Sequence, residues 1–177
     1  MKEQIKKFII LIISAIILVG LDQWTKFLAT THLKGTKGLE LIPDVFHLYY
    51  SENRGAAFGM LHGKQIFLII TTVIILICIF VLYSRIPNEK KYVPIRIICI
   101  TITAGALGNF IDRLRLGYVV DFLYFKLTDF PIFNIADCYV TISATILIIL
   151  FLFYYKEEDL DFLFPKKSQK ELSENGQ

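Results

Sequence analysis

A chain of 177 residues is about one domain long, but 55% of this one is hydrophobic. Its mean hydropathy of +0.56 exceeds what a water-facing core of that size can bury, which excludes an ordinary soluble domain. The formal net charge of +3 sits in Lys and Arg scattered at the ends of apolar stretches, so a nucleic-acid-binding stripe is excluded and anchoring at a membrane surface is favoured.

Four runs carry no charged residue: Phe8 to Leu21, Ile66 to Ser84, Ile97 to Ile111 and Cys138 to Tyr155. Two approach the roughly 20 residues that cross a bilayer. The other two do so only with polar neighbours drawn in, which places Asp22 and Lys26 in the last turns of the first helix and Arg96 at the start of the third. The chain therefore reads as an all-α integral membrane protein, a single membrane domain over 1–177 folded as a four-transmembrane-helix bundle. Its helices are expected over 8–28, 66–84, 93–113 and 134–155. Behind Lys2, Lys6 and Lys7 the first run also has the form of a cleaved secretory signal, but the small-residue cleavage site is poor and Asp22 and Lys26 follow directly. In the first outer loop, 29–65, several glycines, Pro43 and the β-prone stretch Val45 to Tyr50 predict a small extracytoplasmic β-cradle. The second outer loop, 114–133, alternates aromatic and polar residues around Phe122, Tyr124, Phe125 and Phe130, which suits chain at the membrane interface. From Lys156 a charged tail, 156–177, is expected to fray. Eleven of the 19 Lys and Arg lie before Phe8, between Arg85 and Arg96, or in that tail, so both termini and the middle turn are expected to be cytoplasmic. Cys78, Cys99 and Cys138 show neither disulfide nor metal-ligand spacing and read as small buried residues.

Ionisable groups inside membrane helices are costly, so each needs a partner or a purpose. Here they gather toward the outer ends: Asp22 and Lys26 on the first helix, Asn109, Asp112 and Arg113 on the third, Asn134 and Asp137 at the start of the fourth. Spacings of three and four put Asn109 on one face with Asp112 and Arg113, and Asn134 on one face with Asp137. Pinning of helix ends by hydrogen bonds explains any one of them as well as a functional role does. Four carboxylates at one depth, Asp22, Asp112, Asp121 and Asp137, with only Lys26, Arg113 and Arg115 to neutralise them, exceed what pinning needs. Two carboxylates held close share a proton, which makes a general acid and a general base at one site. With a water between them, the charged member activates it for attack on an amide carbonyl while the protonated member donates to the carbonyl oxygen. Ser14, Ser51, Ser84 and Ser143 have no His near them in the sequence, and His32, His47 and His62 all fall in the first outer loop. Serine–histidine or metal-assisted chemistry has little to stand on, and no metal or other cofactor is expected. A proton-coupled transporter would hold its carboxylates near the midplane, and a non-catalytic assembly or lipid-binding protein would tolerate their replacement by amides.

Four segments carry a resemblance: DQWTK at 22–26, NRGAAFG at 53–59, GALGNFIDRLRLGYVVDF at 105–122 and FPIFNIADCYVTIS at 130–143. In order and spacing they resemble the motifs of the bacterial lipoprotein signal peptidases, the signal peptidase II family. The resemblance implies an aspartic endopeptidase with Asp121 and Asp137 as its catalytic pair. Asp22, Lys26, Asn53, Gly55, Asn109, Asp112, Arg113, Asn134 and Ala136 are then its supporting shell. Of these, Arg113 is suited to holding a substrate or loop carbonyl, Asn53 and Asn134 to orienting carboxylates without adding charge, and Gly55 to close backbone approach. Asp22 and Lys26 either pair with each other or touch the site directly. The resemblance also implies substrates that are diacylglyceryl-modified prolipoproteins, cut before the lipidated cysteine at the outer face of the bacterial cell membrane. Membrane lipids would surround a monomer, and the family's cyclic peptide inhibitors are expected to bind the dyad; no nucleic acid is involved. Two positions depart from the family's pattern: Cys138 where Ser is usual, and Ser143 where Gly is common. Asp121 comes from a loop expected to be mobile and Asp137 from a rigid helix, so the two meet only if the second outer loop folds back onto the bundle.

Overall fold

In the computed structural model, residues 2–55, 61 and 63–163 are described; most of the NRGAAFG stretch, His62 and the tail beyond 163 lie outside them. Four helices are long and apolar enough to cross a membrane: α1 (Lys2–Leu33), α2 (Gln65–Arg85), α3 (Val93–Leu116) and α4 (Ile135–Phe153). The protein is a multi-pass membrane protein. Its outward faces bear this out chemically: on α2 only Tyr83 is buried, while Ile66, Phe67, Ile70, Ile74 and Ile77 are exposed, an arrangement that lipid tolerates and water does not.

Helix α1 is longer at both ends than expected. No proline or glycine interrupts 29–33, so the helix runs on and takes His32 into its last turn, out of the loop. At its start Lys7 is buried and donates to the Ile86 carbonyl at 2.6 Å, capping the end of α2, while the Tyr83 hydroxyl donates to the Lys7 carbonyl at 3.1 Å. Helix α3 begins with Pro94 in its first turn and stops at Gly117, whose φ of 76° opens the chain into the next strand. It packs against all three other helices. Gly105 lets α4 come so near that a Cβ there would lie 2.5 Å from the Ala136 carbonyl oxygen and 2.8 Å from Val140 Cγ2. About one turn earlier on α3, Thr101 and Ser143 hydroxyls bond across the same interface at 2.5 Å, so the serine at that position ties the helices together.

The cradle is a three-stranded antiparallel sheet in the order β1 (Leu39–Ile42), β2 (Phe46–Asn53), β3 (Val119–Phe125). Its third strand corrects the sequence reading of the second loop: Val119–Phe125 is a strand, with Val119 to Phe122 all buried. Strand pairing sets Asp121 opposite Ser51 and Val119 opposite Asn53. Phe133 then bridges to Leu123, with its carbonyl accepting from the Phe122 and Leu123 N–H groups at 2.9 and 2.8 Å. Asp121 is thus held mid-strand, and the chain returns to α4 beside it.

Two apolar clusters brace the bundle. One, at the end carrying both termini, gathers Leu11, Tyr83, Ile86, Tyr92, Ile95, Cys99, Ile100 and Tyr155. The other, under the sheet, joins Ala29, Val120 and Phe122. Residues just after α4 are not frayed: Glu157–Leu160 form a 3-10 turn, Lys91 bonds Asp159 at 2.6 Å, and Leu160 and Phe162 pack onto the first cluster, where Phe162 meets Tyr92 edge-on. Of the cysteines, Cys99 is buried, Cys138 half-buried and Cys78 exposed on the outer face of α2, which corrects the reading of all three as buried.

Because the Gly105 contact is already at van der Waals limits, Gly105→Ala is expected to force α3 and α4 apart at a cost of about 1–3 kcal/mol. Thermal melting of the detergent-solubilised protein checks this; an unchanged midpoint would show that the two helices are not so closely set.

Candidate active site

Asn134 is the extended residue that precedes α4, and it is fully buried. Its side-chain oxygen accepts the Asp137 N–H at 3.0 Å while Asp137 Oδ2 accepts the Asn134 N–H at 3.1 Å, a reciprocal cap that locks the Asp137 carboxylate into the first turn. The amide nitrogen of Asn134 donates to Asp121 Oδ1 at 2.6 Å and to Asn109 Oδ1 at 3.1 Å. Asn109 in turn donates to Asp137 Oδ1 at 2.8 Å. From the sheet, Asn53 donates to Asp121 Oδ2 at 2.9 Å, and its own oxygen accepts the Gly55 N–H at 2.9 Å. Two carboxylates from different elements are therefore held by three asparagines, neutral donors that fix position without cancelling charge.

Only 2% of Asp121 is exposed. Burial, and then the nearby charge of Asp137, push its carboxyl up to about 7, against the smaller opposing effects of the Asn53 and Asn134 hydrogen bonds and of Lys26. At neutral pH the site holds both forms of this group.

Behind the asparagines lies an ionic layer. Lys26, 3% exposed, donates to Asp22 Oδ2 at 2.9 Å, Asp112 Oδ2 at 3.0 Å and Asn109 Oδ1 at 2.9 Å. Asp22 also accepts the Ala136 N–H at 2.9 Å and Asp112 the Val120 N–H at 3.1 Å. Gln23, quoted within DQWTK but assigned no role from sequence, donates to Asp112 Oδ1 at 2.8 Å and to the Gly108 carbonyl at 3.2 Å. Gly108 is needed for space, since a Cβ there would collide with the Asp22 carboxylate. The i, i+3 spacing of Gln23 and Lys26 was a usable signal; the roles of the Val120 N–H and of the missing Gly108 side chain had none.

Arg113 points the other way. One guanidinium nitrogen donates to the Gly55 carbonyl at 3.3 Å, and Nε has no hydrogen-bond partner among the described residues. Arg115, counted from sequence among the neutralising cations, is exposed and lies outside this network. Arg113, Asn53, Asn109, Asp121 and Asp137 line a cavity of about 930 Å³ that continues down between α2 and α4 over apolar and hydroxyl side chains such as Leu68, Thr72, Ile75 and Val140. Its shape is that of a greasy slot with charges at one end, and Cys138 forms part of its wall.

Residues 14–153 match the family described as Signal peptidase (SPase) II. The chain belongs to the signal peptidase II family. It is 38% identical over 147 residues to the lipoprotein signal peptidase of Streptococcus thermophilus, covering 83% of this chain and 93% of that one. With the Caldanaerobacter subterraneus lipoprotein signal peptidase it shares 45% identity over 136 residues, 76% of this chain and 90% of the relative. A bacterial membrane enzyme solved by the in meso method at 2.3 Å superposes with a TM-score of 0.74 at 38% identity, covering 83% of this chain and 92% of that one. This member of the signal peptidase II family is an aspartic peptidase.

For Asp121 the folded protein favours the protonated form, so the stabilisation is full below the unfolded value near 3.8 and is lost as pH rises through about 7. Asp121→Asn removes that dependence. The melting temperature of the variant is expected to gain on wild type between pH 5 and pH 8 in detergent; a variant-minus-wild-type difference that stays constant or falls would contradict the raised carboxyl.

Proposed function

We propose that Asp121 and Asp137 are the catalytic pair, and that the enzyme removes signal peptides from prolipoproteins by cutting the bond before a diacylglyceryl-modified cysteine. The observation that carries this reading is the double tether of Asn134, which bonds one carboxylate through its side chain and the other through its backbone. A water between the carboxylates completes the geometry of an aspartic peptidase.

Asp137 receives donors from Asn109 and from the start of α4, surroundings that suit the carboxylate base. Asp121, buried and raised, suits the acid. Water attacks the scissile carbonyl carbon and gives a proton to Asp137 as Asp121 donates its own to the carbonyl oxygen. When the tetrahedral diol collapses, the carbon–nitrogen bond breaks, Asp137 passes its proton to the departing amine, and Asp121 recovers one from the hydroxyl. Arg113, whose Nε–H beside the cavity has no partner among the described residues, is suited to a substrate carbonyl.

The slot between α2 and α4 fits a signal helix entering from the bilayer, with the lipid chains left among lipids and only the scissile bond brought to the carboxylates. The distribution of Lys and Arg supports cytoplasmic termini, and with them an active site at the outer face of the bacterial cell membrane. We read the chain as one membrane domain acting as a monomer within membrane lipids, and the family's cyclic peptide inhibitors as occupants of the same slot that engage the dyad.

Purified enzyme and a diacylglyceryl-modified precursor provide the test. Asp121→Asn and Asp137→Asn are each expected to lower the rate of signal-peptide release at least ~1,000-fold, removing an acid or base worth about 10²–10⁴ together with the activation of water. Both variants should elute as monodisperse protein in detergent. Turnover within tenfold of wild type in either variant would remove that residue from the pair.

A further inference from the structure

We propose that Lys26, with Asp22 and Asp112, is a yoke that sets the spacing of the catalytic pair and the charge it works in, so that Lys26 is a positioning residue of the reaction and not only a pin between helices. The proposal rests on Asp121 and Asp137 being the reacting pair.

Each acid of the yoke holds the backbone one residue before a dyad aspartate. Asp22 accepts the N–H of Ala136, which precedes Asp137; Asp112 accepts the N–H of Val120, which precedes Asp121. Lys26 joins the two acids, at 2.9 and 3.0 Å. The strand bearing one catalytic carboxyl and the helix bearing the other are therefore tied to a single ammonium. Neutralisation of the ammonium alone would be satisfied by Asp22, one turn away on α1. Instead two of the three Lys26 bonds cross to α3.

The third of these bonds orients Asn109. Its oxygen takes Lys26 at 2.9 Å and Asn134 at 3.1 Å, which leaves its nitrogen to donate to Asp137 at 2.8 Å. Without the ammonium, the Asn109 amide loses one of the two donors that prevent it from turning its oxygen toward the Asp137 carboxylate. The charged groups facing the pair are Lys26 and Asp22 on α1 and Asp112 and Arg113 on α3; strand β2 brings neutral Asn53, and its Glu52 is taken up by Lys34 and Arg54. Lys26 bonds the Asn109 side chain that donates to Asp137, and its charge opposes the rise of the Asp121 carboxyl.

The experiment is steady-state cleavage of a diacylglyceryl-modified precursor by full-length Lys26→Met, with kcat and KM separated across pH 5 to 9. A second variant, Lys26→Met with Asp112→Asn, keeps the net charge of the yoke and an acceptor for Val120 if the single variant does not fold. The yoke requires kcat to fall at least ~100-fold with KM within about threefold in either variant, and in Lys26→Met alone the alkaline limb belonging to Asp121 to move up by about one pH unit, the size of a lost neighbouring cation. A role confined to holding helices together would reduce the yield or melting temperature while leaving the folded fraction with wild-type kcat and an unmoved limb. That result, in whichever variant folds, would overturn the proposal. Failure here with Asp121→Asn and Asp137→Asn still inactive removes the yoke but not the pair; turnover in those two variants removes the pair itself.

Discussion

Everything at the working end of this protein depends on one residue that carries no charge. Asn134 caps α4, locks the Asp137 carboxylate by the reciprocal bond of that cap, and spends its amide nitrogen on Asp121 and Asn109. A charged residue in that place would have to be neutralised among buried groups, and an apolar one would leave Asp121 Oδ1 without its side-chain donor and the Asp137 N–H without its acceptor. An asparagine satisfies all four bonds at once. The capping rule that starts a helix and the rule that buried polar groups be paired are met here by the same side chain.

Around that centre the fold solves a problem of charge. Four carboxylates face two cations, and the arrangement divides them: Lys26 takes Asp22 and Asp112 into a closed ionic layer, while Arg113 keeps an Nε donor beside the cavity with no partner among the described residues. Breaking a buried ion pair from one side costs about 3–5 kcal/mol, so the layer resists rearrangement and offers the pair a fixed platform. Among the described residues no cation is bonded to the two remaining carboxylates, Asp121 and Asp137, which suits the proton sharing proposed for them. Poise for acid–base work thus follows from how the neighbouring charges are already committed.

Much of this was legible from the chain, and the reason is cost. Polar and ionisable groups are so expensive in membrane helices that Asp22, Lys26, Asn109, Asp112, Arg113 and Asp137 stood out against their apolar surroundings. Every residue assigned to the pair or its supporting shell, Gly55 and Ala136 included, is joined to another of the set by a hydrogen bond or ion pair, whereas Arg115 is not. The third strand was not legible, because aromatic–polar alternation is as suitable for an interfacial loop as for a half-buried strand, and only pairing with β2 decides between them. Nor was the ordered turn after α4, whose charged residues read as solvated tail until Lys91 and the Tyr92 ring supply partners from far away in the chain. Gln23 was overlooked because an uncharged amide one residue from an aspartate looks like surface until the Asp112 carboxylate comes within 2.8 Å of it.

The central claim is that Asp121 and Asp137 work as one proton-sharing unit. The pH dependence of kcat/KM for a diacylglyceryl-modified precursor tests it most directly, because that ratio reports the free enzyme. The expected profile is a bell whose alkaline limb lies near pH 7, where Asp121 loses the proton it must donate, and whose acid limb marks protonation of the base, both apparent values belonging to the pair. A profile that is flat from pH 5 to 9, or that rises without an alkaline fall, would contradict the account.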